Sequence, residues 1–284
     1  MKNTVTVATC CYDKDWKVVL SPDYLSRQFA NFDYEFDEKL LIINTVNERD
    51  EITERANLLC ASGDIDAFYF TDDFKSQFFE KFKLADFKYK HKLNLFKNNS
   101  GNNPIAILKK LYHFYIKKKG QYKFTSLTEK EFDCSAYALG PLCAILNAKS
   151  DFLLYFTEDC SFQKNQSDWI NSGITMLNTN NEYLSARPID DDLDSNYIDI
   201  YPKLDEFYVC HMFTDRMFLA NTSSLSNVDF NSEDSGKYPP YGGAGFEAKV
   251  FNYMNQNNKK ILISQNCKYI HEYDEYMNKV FGTK

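Results

Sequence analysis

Two adjacent carboxylic acids, Glu158 and Asp159, directly follow an apolar run at residues 151–157 with the sequence Asp-Phe-Leu-Leu-Tyr-Phe-Thr. A run of this kind between polar residues is typical of a buried central strand. Ligands of open α/β sheets bind at the carboxyl ends of the strands. Mg²⁺ and Mn²⁺ prefer oxygen ligands and share them with phosphate oxygens, so the pair predicts a divalent-cation site for a phosphorylated substrate. The alternative is that the two acids only keep the end of a loop solvated.

The segments before this pair alternate between strand and helix patterns. A helix signal opens at Ser21-Pro22-Asp23, where a capping residue precedes a proline in the first turn. The predicted elements are a strand at 4–9, a helix ending near 29, a strand at 39–44, a helix at 48–60 and a strand at 67–70. This β-α-β-α-β order predicts a parallel sheet with right-handed crossovers.

The second half of the chain has weaker patterns. Helical spacing at 135–146 leads directly into the strand at 151–157, whereas the polar segment 161–205 predicts loops around a site. Residues 207–213 and 217–220 are apolar enough for either strands or short helices, and the pattern leaves both open. The remaining predictions are a proline- and glycine-rich loop from 238, a helix at 246–254, a strand at 260–264 and an apolar piece at 269–271.

The length fits one large α/β domain or two smaller ones, and we expect a single domain over residues 1–284. No apolar stretch approaches the roughly 20 residues that span a bilayer, and the first residues do not resemble a secretory leader. We therefore expect a cytoplasmic protein without a transmembrane segment. The eight cysteines show no C-x-x-C spacing, so a zinc knuckle is not supported and reduced thiols are expected.

The charge of the chain is unevenly distributed. The segment 80–130 contains 13 lysines and 3 acidic residues, a local charge of +10 within a chain whose net charge is −7. Interleaved aromatic residues make this basic segment a candidate surface for nucleic acid or for peripheral contact with an anionic membrane. The alternative is an amphipathic helical region with a solvated lysine face.

The order of these features resembles the nucleotide-sugar glycosyltransferases of the GT-A fold, especially family 2-like enzymes. The resemblance rests on the N-terminal β-α-β-α-β unit, the helix and strand that end in Glu158-Asp159, and the later sequence Gly242-Gly-Ala-Gly-Phe-Glu247. It implies a mostly parallel open sheet flanked by helices, with a Rossmann-like nucleotide-sugar-binding half at 1–160 and an acceptor-binding, catalytic half at 161–284. Glu158-Asp159-Cys160 departs from the Asp-x-Asp motif of the family, which puts metal dependence in question.

The resemblance implies transfer of a sugar from a nucleoside-diphosphate sugar, with a UDP-sugar favoured, to a hydroxyl acceptor with Mn²⁺ or Mg²⁺ as cofactor. The acceptor would be a glycan, a glycolipid such as a lipid-linked glycan, or a modified DNA base. A carboxylate that takes the acceptor proton favours inversion at the anomeric carbon. The alternative is a non-catalytic α/β protein that binds nucleic acid or an anionic membrane through the basic segment.

The resemblance implies a catalytic or metal-binding role for several acidic residues and for one histidine. Glu247 is the expected catalytic base, although an acid at a helix start also complements the helix dipole. Asp215 is a second catalytic candidate that would line the sugar pocket, and the alternative is that the adjacent Asp215 and Arg216 are only structural. Asp159 is the expected metal or diphosphate contact with Glu158 beside it, and His271 is a candidate additional metal ligand, although a lone histidine is more often a hydrogen-bonded structural residue.

The nucleotide itself is expected at the ends of the first two strands. Enzymes of the resembled fold hold the nucleotide base after strand one, and residues after strand two face the same crevice where the strand order reverses. The candidate nucleotide-binding residues are Thr9, Cys11 and Tyr12 after strand one, and Asn44, Asn47 and Arg49 after strand two.

Overall fold

A computed structural model describes most of the two halves of the chain. The described residues are 3–13, 15–44, 46–74, 77–78, 136–162, 168–194, 198–228 and 246–271. The basic segment 80–130 and the glycine-rich loop before Phe246 lie outside these residues, so the predictions made on them stay predictions. No helix among the described residues is long and apolar enough to cross a membrane.

Ten strands form one sheet within the described residues. They are β1 (Val5–Tyr12), β2 (Glu38–Asn44), β3 (Ala67–Phe70), β4 (Phe152–Phe156), β5 (Cys160–Phe162), β6 (Tyr183–Asp190), β7 (Lys203–Leu204), β8 (Phe207–Cys210), β9 (Met217–Asn221) and β10 (Lys260–His271). The strand order is β3-β2-β1-β4-β9-β6-β10-β8-β7, and β5 pairs with β10. Strands β1, β2, β3, β4, β6 and β10 run in one direction, while β9 lies antiparallel between β4 and β6.

Helices cover both faces of this sheet. They are α1 (Trp16–Val19), α2 (Tyr24–Ala30), α3 (Arg49–Ser62), α4 (Ala136–Asn147), α5 (Trp169–Thr179), α6 (Asp191–Asp194), α7 (Thr222–Ser226) and α8 (Phe246–Gln256). Alternate residues of each strand point to opposite faces. One apolar cluster therefore joins the sheet to α2, α3 and α5, and a second joins it to α4, α7 and α8. The predicted α/β fold with a mostly parallel open sheet flanked by helices is confirmed.

The first half of the chain matches its predicted elements closely. β2, α3, β3, α4 and β4 all begin and end within two residues of the expected positions. Two local details differ. β1 continues to Tyr12, so Thr9 and Cys11 lie inside the strand rather than after it. The helix expected after Ser21 begins at Tyr24, and its N-cap Asp23 has a φ of 60° and makes no side-chain capping bond.

The prediction of loops at 161–205 is wrong, because this segment contains β5, α5 and β6. β6 is buried along its whole length although it contains Arg187 and Asp190. Polar side chains are tolerated in a buried strand when their hydrogen bonds are satisfied inside the protein. Arg187 forms a bidentate ion pair with Asp194, with Nη1–Oδ2 and Nη2–Oδ1 distances of 2.6 and 2.8 Å. Local sequence gives no sign of this pairing.

The other uncertain segments are strands. The undecided segments 207–213 and 217–220 contain β8 and β9. The two pieces expected at 260–264 and 269–271 are parts of the single strand β10, which keeps its pairing with β6 across an irregularity between Ser264 and Lys268. β10 therefore lies between β6 and β8, and β7 forms the second edge of the sheet.

Candidate functional site

One edge of the sheet gathers most of the chemically interesting side chains. The strand order reverses between β1 and β4, which is the position where open α/β sheets bind ligands. Because β9 runs antiparallel to β4, its start lies at the same edge as the carboxyl ends of β1, β4 and β6. The acidic residues at these strand ends include Asp15 after β1, Glu158 and Asp159 after β4, Asp190 at the end of β6, and Asp215 before β9.

Glu158 turns back toward β1 rather than out into solvent. The Cys10 thiol donates a hydrogen bond to its Oε2 over 3.0 Å, and the Tyr24 hydroxyl donates to its backbone carbonyl over 3.0 Å. Burial, followed by the nearby charges of Asp15 and Asp159, raises the pKa of Glu158 well above its usual range. The Cys10 thiol in turn accepts a hydrogen bond from the Tyr155 hydroxyl over 3.2 Å. Glu158 is therefore held at the reversal point by groups from β1, α2 and β4.

Asp159 is oriented differently from its neighbour. The Thr157 hydroxyl donates to Asp159 Oδ1 over 2.7 Å, which fixes the carboxylate within its own turn. The next residue, Cys160, lies opposite His271 in the antiparallel pairing of β5 and β10. This register brings the backbones of the two predicted metal ligands, Asp159 and His271, to the same end of the sheet. The His271 side chain lies outside the described part of the structure, and the described side chains contain no cluster of three or more His, Cys, Asp or Glu residues that could hold a metal ion.

Asp215 and Glu247, which are 32 positions apart, are in direct contact. The Asp215 backbone N–H donates to Glu247 Oε1 over 3.1 Å. Burial is the main cause that raises the pKa of both carboxyl groups, and the charge of Glu247 raises the pKa of Asp215 further. Hydrogen bonds from Asp215 and Thr214 oppose the rise at Glu247. Both carboxyl groups therefore hold a proton more tightly than isolated carboxyl groups do, which suits the pair to proton transfer.

Aromatic packing positions this pair. Phe213 and Phe246, which each lie close in sequence to one acid of the pair, have ring centroids 5.9 Å apart. Phe218 of β9 stacks on Phe246 at 6.1 Å and on Tyr155 of β4 at 5.5 Å. All four rings are almost fully buried. The start of α8 is thereby packed against the two strands that carry Asp215 and Glu158.

Asp190 also lies at this edge, beside the two acidic pairs, and it was not predicted from the sequence. Asp190 is fully buried and its Oδ2 accepts hydrogen bonds from Arg216 Nη1 over 3.0 Å and from the Tyr269 hydroxyl over 2.8 Å. The sequence signal is only an acid at the end of a strand, and β6 itself was missed. Cys10, Asp15 and Tyr155 were missed for a related reason. The pairing of β1 with β4 brings Cys10 into contact with Glu158 and Tyr155, and it places the charge of Asp15 near Glu158.

The predicted nucleotide-binding residues of β1 differ in their exposure to solvent. Thr9 and Cys11 are 1% and 0% exposed, so neither has surface to offer a ligand. Cys11 belongs to the apolar cluster on the α2 and α3 face. Tyr12 ends the strand half-buried, and its backbone N–H donates to Asp15 Oδ1 over 2.7 Å.

The candidates at and after the end of β2 each make a separate polar contact. Asn44 is buried and accepts a hydrogen bond from the Thr71 hydroxyl over 3.1 Å. Asn47 donates from its backbone and its side-chain amide to the two carboxylate oxygens of Asp13, each over 2.8 Å. The guanidinium of Arg49 lies 4.0 Å from the centroid of the Phe70 ring and pairs with Asp73. Asn47 and Arg49 thus remain at the surface beside the ends of β1 and β3.

No protein-family model and no curated protein matches the chain. Its fold is similar to the solved structure of GalNAc-T7 with UDP, GalNAc and Mn²⁺, with 10% identity and a TM-score of 0.44 over 95% of this chain and 44% of that chain. It is also similar to the galactosyltransferase LgtC with donor and acceptor sugar analogues, with 12% identity and a TM-score of 0.36 over 88% and 70%. S. aureus TarS gives 9% identity and a TM-score of 0.38 over 98% and 39%.

LgtC is a galactosyltransferase, but likenesses with TM-scores below 0.5 bear on the fold of this chain alone. The chain spans less than half the length of GalNAc-T7 and of TarS. Fold likeness at this distance does not carry substrates or residue roles from one protein to another. The roles of the residues therefore depend on the geometry of this chain.

Proposed function

We propose that the chain is an inverting glycosyltransferase that moves a sugar from a nucleoside-diphosphate sugar, with UDP-sugar as the favoured donor, to a hydroxyl acceptor. The observation that carries the proposal is the Asp215–Glu247 carboxyl pair, which lies on the same sheet edge as Glu158 and Asp159. One acidic pair is suited to proton transfer and the other to the cation of a phosphorylated donor. Two such pairs, at the point where the strand order reverses, suit the transfer of a sugar whose leaving group is a nucleoside diphosphate.

The proposed step is a single displacement. The acceptor hydroxyl oxygen forms a bond to the anomeric carbon as the bond from that carbon to the diphosphate oxygen breaks. The electron pair of the broken bond leaves with the nucleoside diphosphate, and the hydroxyl proton passes to the Glu247 carboxylate. The raised pKa of Glu247 favours this acceptance, because a stronger base takes the proton more readily in the transition state. Asp215 acts beside it as a hydrogen-bond donor.

The acidic turn after β4 fits a divalent cation on the chemistry of its donors. Mg²⁺ is commonly bound by one or two carboxylates together with substrate phosphates, so a site with fewer than three described protein ligands is compatible with it. Asp159 would hold Mn²⁺ or Mg²⁺ with Glu158 beside it, and His271 is a proposed additional ligand. When bound, the cation would neutralise negative charge on the leaving diphosphate.

Thermal-shift measurements with a panel of nucleoside diphosphates, with and without Mn²⁺, test the proposal. We expect UDP to raise the melting temperature and Mn²⁺ to increase that shift, because a ligand that binds only the folded state stabilises it. Asp159→Asn should remove the increase due to Mn²⁺, whereas Asp199→Asn, at an exposed position, should leave it intact. If no nucleoside diphosphate shifts the melting temperature under either condition, the proposal is wrong.

The acceptor is proposed only as a hydroxyl compound. A glycan, a glycolipid and a modified DNA base remain predictions, since the nucleic-acid or membrane contact was predicted on the basic segment outside the described residues. Release of UDP from UDP-sugars in the presence of each acceptor class would separate them. Binding of DNA or anionic vesicles without any nucleotide binding would instead favour the non-catalytic alternative.

A further inference from the structure

Arg216 carries a positive charge into the acidic edge of the sheet. It lies between Asp215, the partner of Glu247, and the first residue of β9. Its backbone carbonyl accepts a hydrogen bond from the Thr157 N–H over 2.8 Å, and Thr157 directly precedes Glu158 and Asp159. Arg216 is thus fixed by its backbone to the turn that carries the predicted cation site.

The side chain of Arg216 is only partly used within the protein. Its Nη1 donates to Asp190 Oδ2 over 3.0 Å, and this is the one side-chain hydrogen bond of the guanidinium among the described residues. A guanidinium has five N–H donors in a planar fork. The Arg216 side chain is 32% exposed, whereas the Asp190 side chain is 0% exposed. Asp190 therefore binds the arginine from the buried side, and part of the Arg216 side chain stays accessible to solvent.

The position of this charge relates it to the acidic turn. The thiol of Cys160, the residue next to Asp159, lies 3.6 Å from the Arg216 backbone carbonyl and donates to it. Asp190, which orients the guanidinium, is itself held by the Tyr269 hydroxyl, and Tyr269 pairs with Phe162 of β5. The arginine is therefore supported from β6 and β10 and lies beside the strand that begins directly after Asp159.

We propose that the Arg216 guanidinium binds the diphosphate of the nucleotide donor and stabilises the charge that develops on it as the sugar leaves. The inference rests on the proposed function. Arg216 would neutralise charge on the diphosphate in addition to the proposed divalent cation. Arginine suits this role because its fork matches phosphate oxygens in a bidentate geometry. Carboxylates alone would repel a diphosphate, and the neighbouring Arg216 offsets that repulsion.

Titration of UDP and of uridine into wild type and Arg216→Gln, in the presence of Mn²⁺, tests this inference. We expect the substitution to weaken UDP binding roughly tenfold or more, since charge-assisted hydrogen bonds to phosphate are lost. Uridine has no phosphate, so its affinity, measured by NMR titration, should change less than about twofold. Arg55→Gln, which removes an equal charge from the half-exposed Arg55–Glu51 pair on α3, should leave both affinities unchanged.

Removal of Arg216 leaves Asp190 buried without its cation, which could destabilise the fold. The double variant Asp190→Asn/Arg216→Gln removes both charges and should still bind uridine normally but UDP weakly. Unchanged UDP affinity in the single and double variants, with wild type binding UDP, would overturn this inference alone. Equal weakening of UDP and uridine would show a structural role and would also overturn it. A wild-type protein that binds no UDP would overturn the proposed function together with this inference.

Discussion

The backbone N–H of Asp215 donates to Oε1 of Glu247 over 3.1 Å, which joins the loop before β9 to the first turn of α8. The contact makes two acids, each predicted separately, into one carboxyl pair. Burial raises the pKa of both groups, so the pair retains a proton at a pH where isolated carboxyl groups are ionised. This shared proton has consequences for turnover and for stability.

Glu247→Gln should abolish most turnover while sparing nucleotide binding. The amide has nearly the same shape but cannot take the acceptor proton, so we expect a loss of roughly 10²- to 10⁴-fold in the rate of sugar transfer. UDP release from a UDP-sugar measures the rate, and a UDP titration measures binding. Glu54→Gln, on the exposed side of α3, is the matched control. Turnover that survives the Glu247→Gln substitution would exclude Glu247 as the base.

Asp215→Asn should stabilise the protein increasingly as the pH rises. The folded state binds the Asp215 proton more tightly than the unfolded state does, so the wild type loses stability from about pH 4, the carboxyl pKa of the unfolded chain, up to the raised pKa of the folded state. Asparagine is neutral throughout. We expect its free energy of unfolding to exceed that of wild type by roughly 1 kcal/mol at pH 8 and by little at pH 4.

Urea denaturation at the two pH values measures the effect of Asp215→Asn. Asp199→Asn, at an exposed position, should show no such pH-dependent gain. An equal change at pH 4 and pH 8 in the Asp215 variant would contradict the raised pKa. The gain in stability should be accompanied by reduced turnover, as is common when a functional carboxyl group is removed.

Gly140→Ala should destabilise the fold although alanine is the better helix former. A Cβ at this position of α4 would lie 2.6 Å from the Tyr155 hydroxyl and 3.4 Å from Cys10 Cβ. We expect a cost of about 1–3 kcal/mol from overpacking. Tyr155→Phe removes the clashing oxygen, so the double variant should be more stable than the sum of the two single changes predicts. Simple additivity in urea denaturation would argue against the clash.

Asp194→Ala should be far more damaging than the loss of an exposed acid. It leaves the buried Arg187 guanidinium without a counter-charge and removes the acceptor of the Asp190 N–H, for which we expect a cost of about 3–5 kcal/mol. Glu51→Ala, which breaks the exposed pair with Arg55 on α3, should cost about 0.5 kcal/mol or less. Thermal and urea unfolding compare the two. Similar small losses would mean that the buried pair contributes little to stability.

The strands that the sequence predicts well are those with continuous apolar runs. β4 is buried along its whole length, and β2 is buried except at Lys39. Both contain a continuous apolar run because neighbours cover both faces, so their limits are visible locally. β6 is equally buried, but Ser185, Arg187 and Asp190 interrupt its pattern. Its counter-charge, Asp194, lies outside the strand, and a local pattern does not report which polar groups will be paired.

The sequence by itself determined which residues stand at strand ends and helix starts: Glu158 and Asp159 after an apolar strand, Asp215 before another, and Glu247 in the first turn of a helix. Only the tertiary structure decided which of them meet. The insertion of β9 antiparallel between β4 and β6 brings Asp215 to the edge that carries Glu158, and aromatic packing brings Glu247 against Asp215. Strand pairing and packing join residues far apart in the chain, so neither contact has a local signal.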